Sequence, residues 1–274
     1  MAGRLLGGGW SVQVCDVNPA RTRDMEDLGA HVFATPALAA LQSMVCIVCV
    51  VDAAQTESVL FGAQGLAGAV RPGHAVILCP TISPHDVEEF ARRLAERGIA
   101  TIDAPMSGGP TRARDGTMSL MVACDDAVFE QQRDLLEMLS SKIFRISQRP
   151  GDGARTKLVN NLLAGINLAG AAEAMALAQR LGLRLDQTLD VIEQSSGQSW
   201  IGSDRMRRAI AADYEPRAHV SLLHKDTGLA VEAGAAAGFS GPLGPVAHEV
   251  FARAVAAGLA GLDDAALFKL LSSQ

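Results

Sequence analysis

Residues 148–182 read QRPGDGARTKLVNNLLAGINLAGAAEAMALAQRLG, and the change of rhythm inside this stretch decides the fold. Its first six residues form a breaker cluster containing Pro150, Gly151 and Gly153, the composition of a turn. From Ala154 to Gly182 there is no proline, and small and apolar residues recur at helical spacing on more than one side. A helix that is apolar over much of its surface is buried by its neighbours. The stretch therefore predicts a long core helix and a division into a first domain, 1–149, and a second, 150–274.

Toward the N-terminus the chain alternates. Short apolar runs (WSVQVCD, AHVFA, VCIVCVV, HAVILCP, ATIDAP, TMSLMVAC, KIFRIS) are separated by helical segments. Among these segments SPHDVEEFARRLAERG has Ser83 placed as a cap, and DAVFEQQRDLLEML reads as one helix. Continuous apolar strands between amphipathic helices predict a doubly covered, mostly parallel sheet of the Rossmann-like α/β class. Toward the C-terminus only helical segments follow: LDQTLDVIEQS, SWIGSDRMRRAIAA, SLLHKDTGLAVEAGAAAG, GPVAHEVFARAVAAG and DDAALFKLL. The second domain is therefore expected to be all-α.

Composition narrows the function. With 49% apolar and 20% charged residues the chain is globular rather than disordered. The net charge of −6 carries no basic stripe, which argues against nucleic acid or an anionic membrane as a partner. No stretch reads as long and clean enough to span a bilayer, and no secretory leader follows Met1. Five scattered cysteines fit a reduced, cytoplasmic setting. Cys46 and Cys49 form C-x-x-C inside VCIVCVV and read as buried structural residues in a strand, since a redox pair needs an exposed helix start. The six histidines show no metal-ligand spacing.

Four pieces can carry chemistry. Asp16 ends the strand SVQVCD, where an acid commonly holds a dinucleotide ribose, although Asp is also common in turns. In DAPMSGG, Ser107, Gly108 and Gly109 can present a hydroxyl and unobstructed backbone N–H groups to a carboxylate; the alternative is an ordinary tight loop. In GDGARTKLVNN, Lys157 and Asn161 are four apart and share a helix face. A lysine near the start of a buried helix has its pKa lowered by burial and can exchange a proton near neutral pH. Asn160 or Asn161 could fix its ammonium or a substrate hydroxyl, and the alternative for Lys157 is a solvated lysine at a helix start. In HKDTGLA, Lys225 and Asp226 could be an ordinary surface ion pair.

The pieces DAPMSGG, GTMSLMV, GDGARTKLVNN, SSGQSW and HKDTGLA occur here in the order and spacing of the β-hydroxyacid dehydrogenases, which the chain resembles over essentially its whole length. SSGQSW and the segment from ADYEPRAHVSLLHKDTGLAVEAG to LDDAALFKLL look most like the L-threonate dehydrogenase branch. The resemblance implies NAD, with NADP as the alternative, and oxidation of a 3-hydroxy carboxylate or its reverse. It implies that Ser107, Gly108 and Gly109 hold the carboxylate, Lys157 moves the hydroxyl proton, and Asn161 orients substrate and lysine. It places Asp16, Val50, Val51, Gln55, Thr81 and Lys225 at the cofactor. Gln198, Ser199 and Trp200 would select the hydroxylated tail, with a helix cap and core packing as the alternatives for the serine and the tryptophan. Here the family's usual Leu-Pro is Val50-Val51, and its Ser-Thr is Pro80-Thr81.

The same resemblance bears on the N-terminus. The family's first strand and G-x-G-x-x-G precede a helix that Met1-Ala2, Leu5-Leu6 and Gly8 or Gly9 match. Roughly 15–20 residues, a strand with its loop and helix start, are then expected upstream of Met1, leaving the sheet without its first strand and glycine loop. Gly7-Gly8-Gly9 leaves a helix and enters a strand, the reverse of a phosphate site. The chain as written is expected to bind NAD poorly. A substrate pocket between the two halves and a homodimer or higher homo-oligomer are further expectations. Competing readings are a reductase of tartronate or a related semialdehyde and, from another class, a truncated non-catalytic protein that dimerises.

Overall fold

The computed structural model describes residues 1–273 and divides into two compact units, Met1–Lys157 and Leu158–Gln274. The sequence reading puts the domain boundary at 149/150; the division in the structure falls a few residues later, inside a helix.

In the first unit the elements run α1 (Ala2–Gly7), β1 (Gln13–Val14), α2 (Pro19–Glu26), β2 (His31–Val32), α3 (Pro36–Ala40), β3 (Val45–Val48), α4 (Ala53–Phe61), a 3₁₀ turn (Leu66–Gly68) and β4 (Ala75–Leu78). They continue α5 (Pro84–Ala95), β5 (Ala100–Asp103), β6 (Met106–Ser107), α6 (Gly109–Asp115), β7 (Ser119–Ala123), α7 (Asp126–Gln131), α8 (Arg133–Leu139) and β8 (Lys142–Ser147). Local chemistry sets many helix starts. Asn18, Thr35, Asp52 and Ser83 cap α2, α3, α4 and α5 through side-chain oxygens, and proline occupies the first turn of α2, α3 and α5. Such caps satisfy N–H groups that the helix itself cannot pair, and proline fits where no N–H is needed.

Strands β3, β4 and β5 are parallel, with Val45 opposite Ala75 and Ala75 opposite Ala100. Alternate residues of β4 enter different cores. Val76 and Leu78 pack with Leu60, Phe90 and Leu94, while Ile77 and Cys79 pack with Ile102, Leu120 and Leu136. This is the double cover that the apolar runs predict.

The pairing is mostly parallel, as expected, with β1–β2, β3–β4, β4–β5 and β7–β8 all parallel, while several details differ. The sheet is not one piece: β1 and β2 pair only with each other, and the other six strands form a separate sheet. The run WSVQVCD supplies a strand of only two residues, Gln13–Val14. β7 runs antiparallel to β5 and β6, and β8 runs parallel to β7, so the sheet is mixed beyond β5. The single helix expected over 126–139 breaks at Gln132, which closes α7 and precedes α8. Cys49 lies past the end of β3 and is exposed, not a buried strand residue, and Cys46 is half-buried.

α9 (Asp152–Arg180) runs through the division between the units. The second unit continues α10 (Leu185–Glu193), α11 (Trp200–Ile210), α12 (Val220–Ala236), α13 (Leu243–Ala256), a 3₁₀ turn (Asp264–Ala266) and α14 (Leu267–Ser272). Leu168, Ala172 and Met175 of α9 are buried with Leu189, Met206, Val220, Phe251 and Leu267. Contrary to the sequence reading, α9 is long and apolar enough by length and composition to cross a membrane. Here those apolar residues form the core of a helical unit. Close packing explains the small residues: a Cβ on Gly165 would lie 2.6 Å from Thr227 Cγ2.

Candidate active site

The start of α9 is fixed by a residue that the sequence reading left as a strand end. Asp103 closes β5 and is 1% exposed. Its Oδ2 accepts the N–H groups of Gly151 at 2.8 Å and Ala154 at 3.0 Å. An anion placed there satisfies unpaired donors at a helix start and faces the positive end of the helix dipole. Burial nevertheless pushes the carboxyl up to about 6, against the pull of the Ala154, Gly151 and Gly153 N–H groups. The approach is close enough that a Cβ on Gly153 would lie 2.6 Å from Met121 O and 2.9 Å from Asp103 Cγ. Gly151 has φ +102, which favours glycine. The signal was present, since an acid ending a strand and GDG opening a helix are complementary. They are 48 residues apart, however, and sequence pattern does not pair them.

Lys157 follows in the first turns of α9 and is 7% exposed. This excludes the solvated-lysine alternative. One turn further on the same face stands Asn161, 8% exposed. Asn161 Nδ2 donates to Asp226 Oδ2 at 2.6 Å, and Asn160 Nδ2 donates to Asn161 Oδ1 at 2.9 Å. Lys225 Nζ donates to Asp226 Oδ1 at 2.7 Å. Asp226 is 6% exposed, so Lys225-Asp226 is not a surface pair. Both carboxylate oxygens of Asp226 are engaged, one by an amide and one by an ammonium. That fixes the orientation of the Asn161 side chain, because only its NH₂ can donate to a carboxylate.

The glycine turn needs its glycines. Ser107 ends β6 opposite Ser119 of β7. Gly108 has φ +135 and Gly109 φ +68, both left-handed-side conformations that side chains rarely adopt. A Cβ on Gly108 would lie 2.8 Å from Arg112 Cδ and 3.2 Å from Met118 Cα. Ser107 and Gly108 are half-buried and Gly109 is exposed.

The remaining candidates lie at trailing ends of parallel strands, where open α/β sheets bind ligands. Asp16 is exposed after β1, and its Oδ1 accepts the Asn18 N–H at 2.8 Å. Val50 and Val51 follow β3, and the Val51 N–H donates to Gln55 Oε1 at 3.1 Å. Thr81 follows β4 and is half-buried. Gly7, Gly8 and Gly9 do not cradle a phosphate: they close α1, and a Cβ on Gly8 would lie 2.7 Å from Met138 Cε.

In the helical unit Ser199 caps α11, accepting the Gly202 N–H at 3.1 Å. Trp200 is 53% exposed, which excludes core packing, and Gln198 is exposed. A cavity of about 620 Å³ lined by Asp126, Phe129, Arg133 and Arg145 contains none of these residues.

Two family models cover nearly all of the chain. Residues 1–147 match the NAD binding domain of 6-phosphogluconate dehydrogenase, and residues 151–271 match the NAD-binding domain of NADP-dependent 3-hydroxyisobutyrate dehydrogenase. The chain belongs to the β-hydroxyacid dehydrogenase family. Relatives of this family include an L-threonate dehydrogenase from Cupriavidus necator, 38% identical over 98% of this chain and 91% of that protein. A 2-hydroxy-3-oxopropionate reductase from Escherichia coli is 31% identical over 99% of this chain and 92% of that protein. Among solved structures, a 3-hydroxyisobutyrate dehydrogenase from Salmonella typhimurium superposes with a TM-score of 0.92 at 37% identity, covering 98% of this chain and 94% of that one. The family's members are oxidoreductases, and its cofactor is NAD or NADP.

Proposed function

We propose that this NAD(P)-dependent 3-hydroxyacid dehydrogenase acts on a sugar acid of the threonate type. The observation that carries the reading is the burial of Lys157 one helical turn from Asn161, whose amide is held by Asp226. A lysine shielded from bulk water exchanges its proton with a bound ligand rather than with solvent. Lys157 Nζ takes the proton of the substrate hydroxyl in the oxidative direction and returns it in the reductive one. Asn161 orients that hydroxyl. Ser107 Oγ and the N–H groups of Gly108 and Gly109 receive the substrate carboxylate, a role the positive φ angles of both glycines support.

The nicotinamide, when bound, supplies the hydride acceptor. Asp16, Val50, Val51, Gln55 and Thr81 bind the dinucleotide, and Lys225 stands near its nicotinamide end. The carboxylate of Asp16 repels a 2′-phosphate, so NAD is preferred over NADP. Gln198, Ser199 and Trp200 contact the hydroxylated tail of the substrate, and the polarity of Gln198 and Ser199 suits a sugar acid better than a methyl-bearing acid.

The protein works in the cytoplasm as a homodimer. The dimer is supported by exposed apolar residues along α9 and just past its end, Val159 with Leu163 and Leu177 with Leu181, which are 58–71% exposed. Light scattering coupled to size exclusion tests it, and a monomeric mass at micromolar concentration rejects it.

A second reading, reduction of a semialdehyde such as tartronate semialdehyde, uses the same residues and is supported by the Escherichia coli relative. One substrate panel separates the two. L-threonate, 3-hydroxyisobutyrate and tartronate semialdehyde are each assayed with NAD(H) and NADP(H), using the longest in-frame product that contains residues 1–274. The proposal requires the highest kcat/KM for L-threonate with NAD. A maximum for the semialdehyde supports the second reading. No turnover and no NAD binding by calorimetry leaves the non-catalytic one.

A further inference from the structure

Cys49 and Cys79 follow directly on the last paired residues of β3 and β4, Val48 and Leu78. The Cys79 N–H donates to Val48 O at 3.0 Å, so the parallel ladder continues to this point. Residues directly opposite in a ladder point to the same face. Both cysteines accordingly share the face of Ile47 and Ile77, and Cys79 packs in that core. The ladder thus sets the two thiols side by side, and each acts on the other: the Cys79 thiol lowers the Cys49 thiol from its ordinary value, and Cys49 raises that of Cys79. Neighbouring strands stand about 4.7–4.9 Å apart, within the roughly 4.4–6.8 Å Cα separation that a disulfide spans. Cys79 is buried at 4% exposure, whereas Cys49 belongs to an exposed residue position just past β3. The Met1 thioether lies 3.7 Å from Cys49 Sγ.

We propose that Cys49 and Cys79 are an oxidisable dithiol, closed to a disulfide by a hydroperoxide. The Cys49 thiolate attacks the peroxide and its O–O bond breaks, giving Cys49 sulfenic acid and, with hydrogen peroxide, one water. The Cys79 sulfur then attacks Cys49 Sγ, the S–O bond breaks, the second water leaves, and the S–S bond forms. The two thiols lose two protons and two electrons, and the peroxide is reduced to two waters. Cys79 beside it lowers the Cys49 thiol, while burial and Cys49 raise that of Cys79, so Cys49 is the sulfur that attacks first. Cys46 stands apart from this chemistry, because burial pushes its thiol up to about 11. The disulfide would tie together the ends of β3 and β4, the two segments that carry Val50, Val51 and Thr81.

Differential alkylation with peptide mapping tests this on the whole chain, before and after hydrogen peroxide and after dithiothreitol. The expected result is the loss of two hydrogen atoms from the chain mass, with Cys49 and Cys79 jointly protected from alkylation and Cys46 still reactive or unreactive as before. Dithiothreitol should restore both thiols. In Cys79→Ser the reaction should stop at a Cys49 sulfenic acid that dimedone traps, and Cys46→Ser should leave the disulfide unaffected. Protection of Cys46 with Cys49, or gain of oxygen with Cys49 and Cys79 both still alkylated, would overturn the proposal. The mapping on the unsubstituted chain decides the matter even if a serine variant misfolds, and it does not depend on the enzyme's substrate.

Discussion

In the α/β unit the buried carboxylate Asp103 faces main-chain donors, the N–H groups of Gly151 and Ala154. In the helical unit the buried carboxylates Asp263 and Asp264, 0% and 1% exposed, face the guanidinium groups of Arg208 and Arg205. Asp263 also accepts the N–H groups of Arg217, Ala218 and Ala265. Burial alone would push the Asp263 carboxyl up, but these donors together hold it below its ordinary value. Asp264 has fewer partners, and burial pushes it up to about 7. The difference teaches which substitutions each unit tolerates. An acid held by N–H dipoles can be exchanged for a neutral acceptor of the same shape. An acid held by a buried guanidinium cannot, because the cation stays behind.

The largest effect should therefore come from Asp263→Ala, which leaves Arg208, 6% exposed, with only the longer Asp213 contact and the Glu215 carbonyl, and strands three backbone donors. We expect a loss of about 3–5 kcal/mol in urea unfolding, the usual cost of breaking a buried ion pair from one side. A loss under 1 kcal/mol, itself about the worth of an exposed pair, would show that solvent reaches Arg208.

Next comes Asp103. Asp103→Ala leaves two buried N–H groups without an acceptor and should cost about 2–4 kcal/mol, at about 1–2 kcal/mol each. Asp103→Asn keeps an acceptor oxygen and should cost under about 1.5 kcal/mol. The pair also differs in pH dependence. The Asp103 carboxyl titrates at about 6 in the folded chain against an ordinary 3.8, so between these values the native state binds more protons than the unfolded one. Its contribution is then fully present below pH 3.8 and is lost as pH rises through about 6. Asp103→Asn should flatten that part of the stability–pH curve. A curve unchanged in Asp103→Asn would mean that another group produces the slope.

The smallest of these effects is Gly153→Ala. The added methyl group meets Met121 O and Asp103, backbone and buried carboxylate, neither of which can swing away. A loss of about 1–3 kcal/mol is expected in thermal or urea unfolding, typical of overpacking. A neutral or stabilising result would show that the start of α9 moves away from β5 and β7 easily.

Much of this fold is legible in the sequence because its signals are local. Ser83 and the Pro84 that follows it mark the start of α5. The breaker 148–153 precedes α9, and the continuous apolar runs place β3, β4 and β5. Direction is not local: the run Ser119–Ala123 looks the same whether it pairs parallel or antiparallel, and only the short return through α6 decides it. The break at Gln132 was hidden because Phe129, Leu135 and Leu136 keep a helical spacing across it. At the site, Lys157 and Asn161 were visible as an i, i+4 pair and Gly108-Gly109 as a permissive turn. Asp103 and Asp226 were present in quoted motifs, yet their roles depend on partners 48 and 65 residues away. Exposure was misread at Cys49, where an apolar run outlasts the strand it predicts.

The proposed chemistry depends on Lys157 as the residue that moves the hydroxyl proton. The direct measurement is steady-state turnover of L-threonate with NAD by Lys157→Ala, beside calorimetric NAD binding by the same variant, in the longest in-frame product containing the chain. The expected result is a kcat lower by about 10²-fold or more, the scale of lost acid–base catalysis, with NAD affinity unchanged. Turnover equal to that of the unsubstituted enzyme would contradict it.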